Sequence, residues 1–222
     1  MTTQSIIFKL IGIMLSKRQK LAKFHQDLIL DTAKEFFETK GLQQTSMLDI
    51  AKAGGYSKST LYKYFAGKDD IYNHIVLRSC LLQKQEIAGI ISKELPFKGT
   101  FMEICRVYST IQEEHPIYFE TMIGTQEAAA DEQDAVLEQM RQTGEEIGAM
   151  IVDSIHKGQD RGELRAELDP LKTSYALWAA IYGILTMGKN RKQYLTHMNA
   201  SRDEFVEYGF DLYMHSFLRH NP

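Results

Sequence analysis

The sequence predicts an all-α protein, and three observations lead to that fold class. Apolar residues recur at helical spacing along most of the 222 residues. Prolines number only four, so the long segments contain few breaks. Between residues 45 and 68 the apolar positions divide into two short helices with a glycine pair between them. We expect a small N-terminal domain of three helices, followed by a larger helical domain.

The chain divides into three predicted regions, which are residues 1–16, 17–70 and 71–222. The first region is apolar, but its apolar run is too short to span a bilayer. Its charges also do not follow the order of a signal peptide. We therefore expect residues 1–16 to be a disordered or loosely helical extension, and we expect no membrane partner.

The N-terminal domain begins with a predicted helix over residues 24–40. Ile29, Ala33 and Phe36 fall on one stripe of that helix together with Phe37. This stripe is expected to form the core of the domain. Gly41 is placed to end the helix, because glycine adopts the left-handed conformation common after a helix.

A second helix is predicted to start at Ser46. Ser46 and Asp49 have the spacing of a capping box, in which each side chain satisfies a free backbone N–H at the start of a helix. Gly54 and Gly55 are expected to end this helix in a tight turn.

A third helix is predicted over residues 58–65, capped by Ser57. Leu61 and Phe65 lie four residues apart and would face the core. The other side chains of this helix would face outward, and they are Lys58, Ser59, Thr60, Tyr62, Lys63 and Tyr64.

These outward residues fit the chemistry of DNA. Lysines neutralise phosphates, and hydroxyl groups donate to phosphate oxygens or base edges. In a helix-turn-helix, the second helix lies in the major groove with its N-terminal residues leading. The pattern thus indicates a helix-turn-helix DNA-binding domain. The alternative is a solvated helical corner of an ordinary bundle.

A longer motif surrounds this helix. Gly54-Gly55-Tyr56-Ser57-Lys58-Ser59-Thr60-Leu61 is followed by Tyr62-Lys63-Tyr64-Phe65 and then by Lys68-Asp69-Asp70-Ile71. This motif resembles the DNA-binding domain of the TetR family of transcriptional regulators, over about residues 24–78. Two positions depart from the family pattern: Tyr56 stands where the family usually has a small aliphatic residue, and Gly67 replaces a polar cap.

The resemblance implies an operator-binding protein with a ligand-binding and dimerisation domain. It also implies a phosphate contact from Lys68, which follows the third helix. Residues 14–20 resemble the short basic arm of the family, so Met14 is a second candidate for the start of translation. The complete predicted DNA-binding set is Thr45, Ser46, Lys58, Ser59, Thr60, Tyr62, Lys63, Tyr64 and Lys68, with Lys58, Ser59 and Thr60 at base edges.

The charge distribution agrees with a DNA-binding N-terminal part. Residues 1–70 carry eleven basic and seven acidic residues, a net charge of +4. Residues 71–222 carry fifteen and twenty-two, a net charge of −7. A chance partition of this size is the alternative, so the asymmetry is supporting evidence only.

The C-terminal region is predicted to be entirely helical. The expected helices are 69–92, 100–113, 117–124, 128–159, 171–189 and 203–218. The helix over 171–189 is apolar almost all round and is expected to be buried. The excess apolar surface at about residues 171–190 and 203–218 predicts a four-helix homodimer interface, and an intramolecular core is the alternative.

An effector pocket is predicted between these helices, because such pockets combine apolar and aromatic walls with a few polar groups. The candidate lining residues are Met102, Tyr108, Tyr118, Phe119, Met122, Tyr175, Trp178 and Tyr182. Each of them could instead be ordinary core. Methionine and aromatic side chains favour a lipophilic or aromatic effector.

The sequence contains no recognised catalytic motif, so we expect no enzyme activity and no cofactor. Cys80 and Cys105 lack a metal-ligand spacing, and six histidines have no evident partner, so we expect no metal site; these are His25, His74, His156, His197, His215 and His220. Two separate cysteines fit a reducing cytoplasm.

The predicted function is that of a homodimeric repressor released from its operator by a small effector. The alternatives are an activator or a ligand-independent regulator with the same DNA-binding mode, and a helical carrier or enzyme.

Overall fold

The computed structural model describes residues 3–122 and 134–219, and within these ranges it confirms the all-α prediction. The described residues form ten helices, and one isolated bridge pairs Leu164 with Leu218. The helices are α1 (Thr3–Lys40), α2 (Met47–Ala53), α3 (Lys58–Leu61), α4 (Lys68–Ile91), α5 (Phe97–Glu114), α6 (Pro116–Thr121), α7 (Ala135–Asp160), α8 (Pro170–Asn190), α9 (Lys192–His197) and α10 (Arg202–His215).

The chain folds as two compact units, Met1–Val76 and Leu77–Pro222. The helix α4 begins in the first unit and continues into the second. The predicted boundary at residue 70 lies within the first turn of α4. In the first unit, Tyr72 packs against Phe37 with their ring centroids 6.1 Å apart.

The helix α1 is longer than the predicted helix over 24–40. It begins at Thr3, so the chain expected to be a loose extension is helical from that residue on. No proline interrupts residues 3–40, and leucine, lysine and glutamine, which are good helix formers, are frequent there. Residues 1–2 lie outside the described ranges.

The core of the first unit uses most of the predicted stripe of α1. Ile29 and Ala33 are fully buried, and they share the core with Leu61 and Phe65. Phe36 is only half-buried at the edge of this core. The ammonium group of Lys40 lies 4.8 Å from the centroid of the Phe36 ring.

The third helix is shorter than predicted. Regular α-helix ends at Leu61 rather than at Phe65. The chain continues in tight turns, with bonds from Lys63 N to Thr60 O at 3.1 Å and from Tyr64 N to Leu61 O at 2.9 Å. These turns still bring Phe65 into the core, because its N–H bonds to Leu61 O at 3.0 Å.

In the second unit, the predicted helices are present with shifted ends. The helix predicted over 117–124 ends at Thr121, and the one over 128–159 begins at Ala135. Residues 123–133 lie outside the described ranges. The last helix ends at His215, before the predicted end at residue 218. The short helix α9 was not predicted.

The helices α5, α7, α8 and α10 contribute buried side chains to the apolar interior of this unit. The helix α7 packs closely against the start of α5 at Gly158, because a Cβ added there would lie only 3.2 Å from the ring of Phe97. The helix α8 starts with Asp169 as its cap, since this carboxylate accepts from Lys172 N at 2.9 Å. Within a single chain, only one face of α8 is buried. Leu177 and Ile181 are buried, whereas the opposite face is exposed.

Candidate nucleic-acid interface and ligand cavity

Local hydrogen bonds build the helix-turn-helix of the first unit. The predicted capping box is present: Asp49 N donates to the Ser46 hydroxyl at 3.2 Å, and Ser46 N donates to the Asp49 carboxylate at 3.0 Å. The Ser46 hydroxyl, which also donates to the Asp49 carboxylate at 2.6 Å, and the Ser46 backbone N–H together hold the pKa of Asp49 below its ordinary value. Gly55 has φ +72°, the left-handed conformation that the turn after α2 requires.

Ser57 organises the N-terminal end of α3. Its hydroxyl accepts from Thr60 N at 3.1 Å, as a helix cap does. The same oxygen lies 2.8 Å from the hydroxyl oxygens of both Ser59 and Thr60. The three hydroxyl groups therefore form one hydrogen-bonded set on the outer side of α3. Ser57 was predicted only as a cap.

The remaining predicted contacts of α3 and the turn after it are accessible. Lys58 and Lys63 are exposed, and Tyr62 is 49% exposed. The ammonium group of Lys58 lies 5.8 Å from the centroid of the Tyr62 ring. Tyr64 is half-buried. This surface thus offers cations and hydroxyl donors together, which is what phosphate oxygens and base edges accept.

Two residues predicted to contact DNA use their polar groups for hydrogen bonds inside the first unit. Thr45 is only 2% exposed, and its hydroxyl donates to Gly41 O at 2.9 Å. The ammonium group of Lys68 donates to Leu42 O at 3.0 Å and to Gln43 O at 3.4 Å. The structure therefore places the Thr45 side chain in the core, and Lys68 where it joins the start of α4 to the segment after α1.

Sequence reasoning missed one interaction, which joins α1 to the turn between α2 and α3. His25 was expected to have no evident partner, but its Nδ1 lies 2.7 Å from the hydroxyl oxygen of Tyr56. The His25 ring also packs near Tyr64, with the centroids 6.3 Å apart. The departure from the family pattern at Tyr56 was the sequence signal that could have drawn attention to this interaction. Its partner lies 31 positions away in the chain, so no spacing rule indicates it.

The second unit contains a cavity of about 20 Å³ between α5, α7 and α8. Of the eight predicted pocket residues, Tyr108 and Trp178 line it. Tyr175 is 66% exposed on the opposite face of α8. Burial raises the pKa of Tyr108, so this phenol is a neutral wall group.

The other five predicted pocket residues do not line the cavity. Phe119 stacks on Tyr182 with the ring centroids 4.7 Å apart, and Tyr118 donates to the side-chain oxygen of Gln83. Met102 and Met122 are half-buried elsewhere in the unit. These five residues therefore lie away from this cavity, because helix packing distributes them over different faces.

Two further observations concern the described residues 3–122 and 134–219. No helix there combines the length and the apolar composition needed to cross a membrane. In the same ranges, no group of histidine, cysteine and acidic residues is arranged to hold a metal ion.

Comparison with known proteins covers both units. Residues 29–75 match the family profile described as "Bacterial regulatory proteins, tetR family", and residues 101–213 match "Tetracyclin repressor-like, C-terminal domain". The HTH-type transcriptional regulator UidR of Escherichia coli (strain K12) is 25% identical over 176 residues, which are 78% of this chain and 85% of that protein.

Solved structures show the same fold. The SmeT–triclosan complex aligns with a TM-score of 0.65 and 20% identity, over 89% of this chain and 93% of SmeT. A transcriptional regulator from Saccharomonospora viridis in complex with choline aligns with a TM-score of 0.69 and 17% identity, over 88% of this chain and 98% of its own.

The two profiles together extend over the helix-turn-helix unit and most of the second unit. Their order along the chain matches the order of the helix-turn-helix and the cavity-containing bundle. The chain belongs to the TetR family of bacterial helix-turn-helix transcriptional regulators.

Proposed function

We propose that this regulator is a homodimeric repressor that binds a two-fold symmetric operator and leaves it when a small effector binds. The exposed polar surface of α3 and the turn after it is the observation that carries the DNA-binding part. Ser57 aligns the hydroxyl groups of Ser59 and Thr60 on that surface, between the exposed cations of Lys58 and Lys63.

The proposed contacts follow from accessibility. Lys58, Ser59 and Thr60 at the start of α3 would reach base edges, and Tyr62, Lys63 and Tyr64 would reach phosphates. The Thr45 side chain is left out because its hydroxyl is used inside the unit. Ser46 is exposed and remains a candidate, and Lys68 has one N–H left for a phosphate after its two bonds to carbonyl oxygens.

Exposed apolar side chains on α8 and α10 support a homodimer. Leu171 is 58% exposed and Tyr175 66% on α8, and Tyr208 is 68% exposed and Leu212 60% on α10. Each pair is four residues apart, so each forms a stripe on one side of its helix. Apolar stripes on neighbouring helices are suited to a two-fold interface, because a second copy presents the same surface.

Light scattering tests the dimer directly. We expect a dimer for the wild-type chain and a shift to monomer for Tyr208→Glu combined with Leu212→Glu. Leu82→Glu is the matched control, since Leu82 is an exposed leucine of α4 outside this surface and is 44% exposed. A monomeric wild-type chain at micromolar concentration would contradict the proposed dimer.

The cavity and two structural relatives support an effector. SmeT is known in complex with triclosan and the Saccharomonospora viridis regulator with choline. An effector that prefers a dimer geometry in which the two α3 surfaces no longer match the operator spacing would release the DNA. Only a difference in affinity for the two geometries is needed. Half-sites are expected about one helical turn apart, roughly 34 Å.

Binding to its own upstream DNA is the decisive experiment for the DNA-binding proposal. Affinity is measured for that DNA and for a scrambled duplex at two salt concentrations. If Lys63 and Lys68 of two subunits neutralise four phosphates, log K falls with log salt at a slope of about −4. Equal affinity for both duplexes, or no salt dependence, would contradict a specific operator complex.

Transcription from a reporter that carries the upstream DNA separates a repressor from an activator. We expect the wild-type chain to lower expression, and Lys63→Ala to lower it less. Increased expression would assign the chain to the activators. In either case the proposed activity is binding rather than catalysis, and it takes place where the chromosome lies, in the cytoplasm.

A further inference from the structure

His25 of α1 lies beside the surface proposed to contact DNA. Its ring packs against Tyr56 of the turn between α2 and α3, with the centroids 5.7 Å apart and the planes at 85°. The same ring packs near Tyr64, at 6.3 Å and 43°. Tyr64 is one of the residues proposed to reach a phosphate. The helix α1 therefore contributes a side chain next to a proposed DNA contact.

Tyr56 holds the His25 ring in one orientation. The Tyr56 hydroxyl oxygen lies 2.7 Å from Nδ1 of His25. The Tyr56 ring itself packs closely on the end of α2, because a Cβ added at Gly54 would lie only 3.0 Å from it. A small aliphatic residue, which the family usually has at position 56, could not make this hydrogen bond. The arrangement is thus a feature of this chain.

Two polar atoms at this place are free to bind a partner. Among the described residues, neither Nε2 of His25 nor the hydroxyl group of Tyr64 has a hydrogen-bond partner. Both side chains are half-buried, yet neither atom is one of the buried side-chain atoms that lack a partner. Solvent therefore reaches both atoms, and a ligand can approach them from the same medium.

The hydrogen bond to Tyr56 determines what His25 offers such a ligand. When the Tyr56 hydroxyl donates to Nδ1, the neutral ring carries its proton on Nε2. In the charged ring both nitrogens carry a proton, and Nδ1 donates to the Tyr56 oxygen. In both forms Nε2 is a hydrogen-bond donor. Backbone phosphates of DNA offer only acceptor oxygens, so they are suited to this nitrogen.

We propose that His25 is a further DNA-contacting residue, and that Tyr56 orients it so that Nε2 donates to a backbone phosphate beside Tyr64. The inference rests on the proposed function, since Tyr64 has to face DNA. A phosphate contact carries no sequence information, so His25 adds affinity and fixes the position of α1 on the duplex. Hydrogen bonds to charged groups are the stronger ones, which makes this contact measurable.

Two amide variants separate the two ring nitrogens. The side-chain amide of asparagine reaches about as far as Nδ1, and that of glutamine about as far as Nε2. His25→Asn keeps a partner for Tyr56, so its amide exchange should resemble that of the wild type. It lacks the donor at the position of Nε2, so we expect DNA affinity to fall about tenfold for each half-site. His25→Gln should retain most of the affinity. Upstream and scrambled DNA should be affected alike.

Phosphate ethylation interference maps the contact itself. Ethylation blocks one phosphate at a time, and the upstream DNA is the probe. In each half-site we expect one phosphate whose ethylation weakens binding of the wild type but not of His25→Asn. His74→Asn is the matched control, because His74 is a half-buried histidine of the same unit whose Nδ1 lies 2.9 Å from Asp70 O. This control should give the wild-type pattern.

The possible results are distinct. An ethylation pattern of His25→Asn that equals the wild-type pattern would overturn the phosphate contact. Equal losses of affinity in His25→Asn and His25→Gln would also overturn it, because they would trace the effect to lost ring packing. Both results presuppose that the wild type prefers its upstream DNA over scrambled DNA. Absence of that preference would contradict the proposed function, and His25 would then have no operator complex in which to act.

Discussion

Replacing Lys68 by alanine is expected to destabilise the DNA-binding unit in addition to weakening DNA binding. The lysine Nζ lies 3.0 Å from Leu42 O and 3.4 Å from Gln43 O. A hydrogen bond from a charged group contributes about 1.5–3 kcal/mol, and the longer of these two bonds adds little. A positive charge at the start of α4 interacts unfavourably with the helix dipole, so its removal stabilises the unit by about 0.3–1 kcal/mol. The expected net decrease in stability is therefore about 1–2 kcal/mol.

Hydrogen exchange of the backbone amides of α2 and α3 measures this decrease, because it reports the opening free energy of the first unit by itself. Lys63→Ala is the matched control. Lys63 is exposed, and its side chain makes no hydrogen bond or ion pair among the described residues. We expect the control to change stability by less than about 0.5 kcal/mol.

DNA binding of the same two variants completes the comparison. Lys63→Ala should weaken binding to all sequences alike and reduce the salt slope by about 1 for each phosphate that is no longer neutralised. Lys68→Ala should bind DNA more weakly because it lacks a phosphate-binding cation and because its DNA-binding unit is less stable. If Lys68→Ala exchanges its amides like the wild type, the two carbonyl bonds do not hold this unit together, and the reasoning from their geometry is refuted.

Three further predictions concern the helix-turn-helix. Thr60→Ala is expected to weaken binding to the preferred DNA by about 1–3 kcal/mol and binding to random DNA by less, as anisotropy titrations would measure; an equal effect on both would assign Thr60 to a phosphate. Tyr56→Phe removes the hydroxyl group 2.7 Å from His25 Nδ1 and should lower the exchange stability of the unit by about 1 kcal/mol, whereas unchanged exchange would show that this bond contributes nothing. Because hydrogen bonds from Ser46 lower the pKa of Asp49 in the folded state, the contribution of this carboxylate is present above its ordinary pKa of 3.8 and is lost as pH falls through the folded-state value. Asp49→Asn should therefore make the exchange stability of α2 less dependent on pH below about 4. An unchanged pH dependence would place its origin in another group.

Elements that depend on near neighbours in the chain were predictable from sequence. The capping box at Ser46, the cap at Ser57 and the helix stop at Gly41 all occur where their spacing placed them. Each depends on hydrogen bonds within four residues, so local sequence contains both partners. The buried positions Leu61 and Phe65 were predictable for the same reason, since helical periodicity defines the inner side.

Distant partners were not predictable in this way. Lys68 bonds to carbonyl oxygens 26 and 25 positions earlier, and His25 meets Tyr56 across 31 positions. From sequence alone, a lysine beside the helix proposed to contact DNA is interpreted as a phosphate contact. Only the folded structure shows that carbonyl oxygens already accept its hydrogen bonds. The half-burial of Phe36 was not predictable either, because helical periodicity defines which side of a helix faces the core but not where the core ends.

The sequence by itself determined the family and the all-α class, because these depend on local spacing and on a motif within one segment. Tertiary structure alone decided which aromatic residues meet. Tyr108 and Trp178 reach a common cavity, while Phe119 and Tyr182 stack elsewhere. The reason is physical: which side chains meet depends on how several helices pack together and not on the residues beside them in the chain.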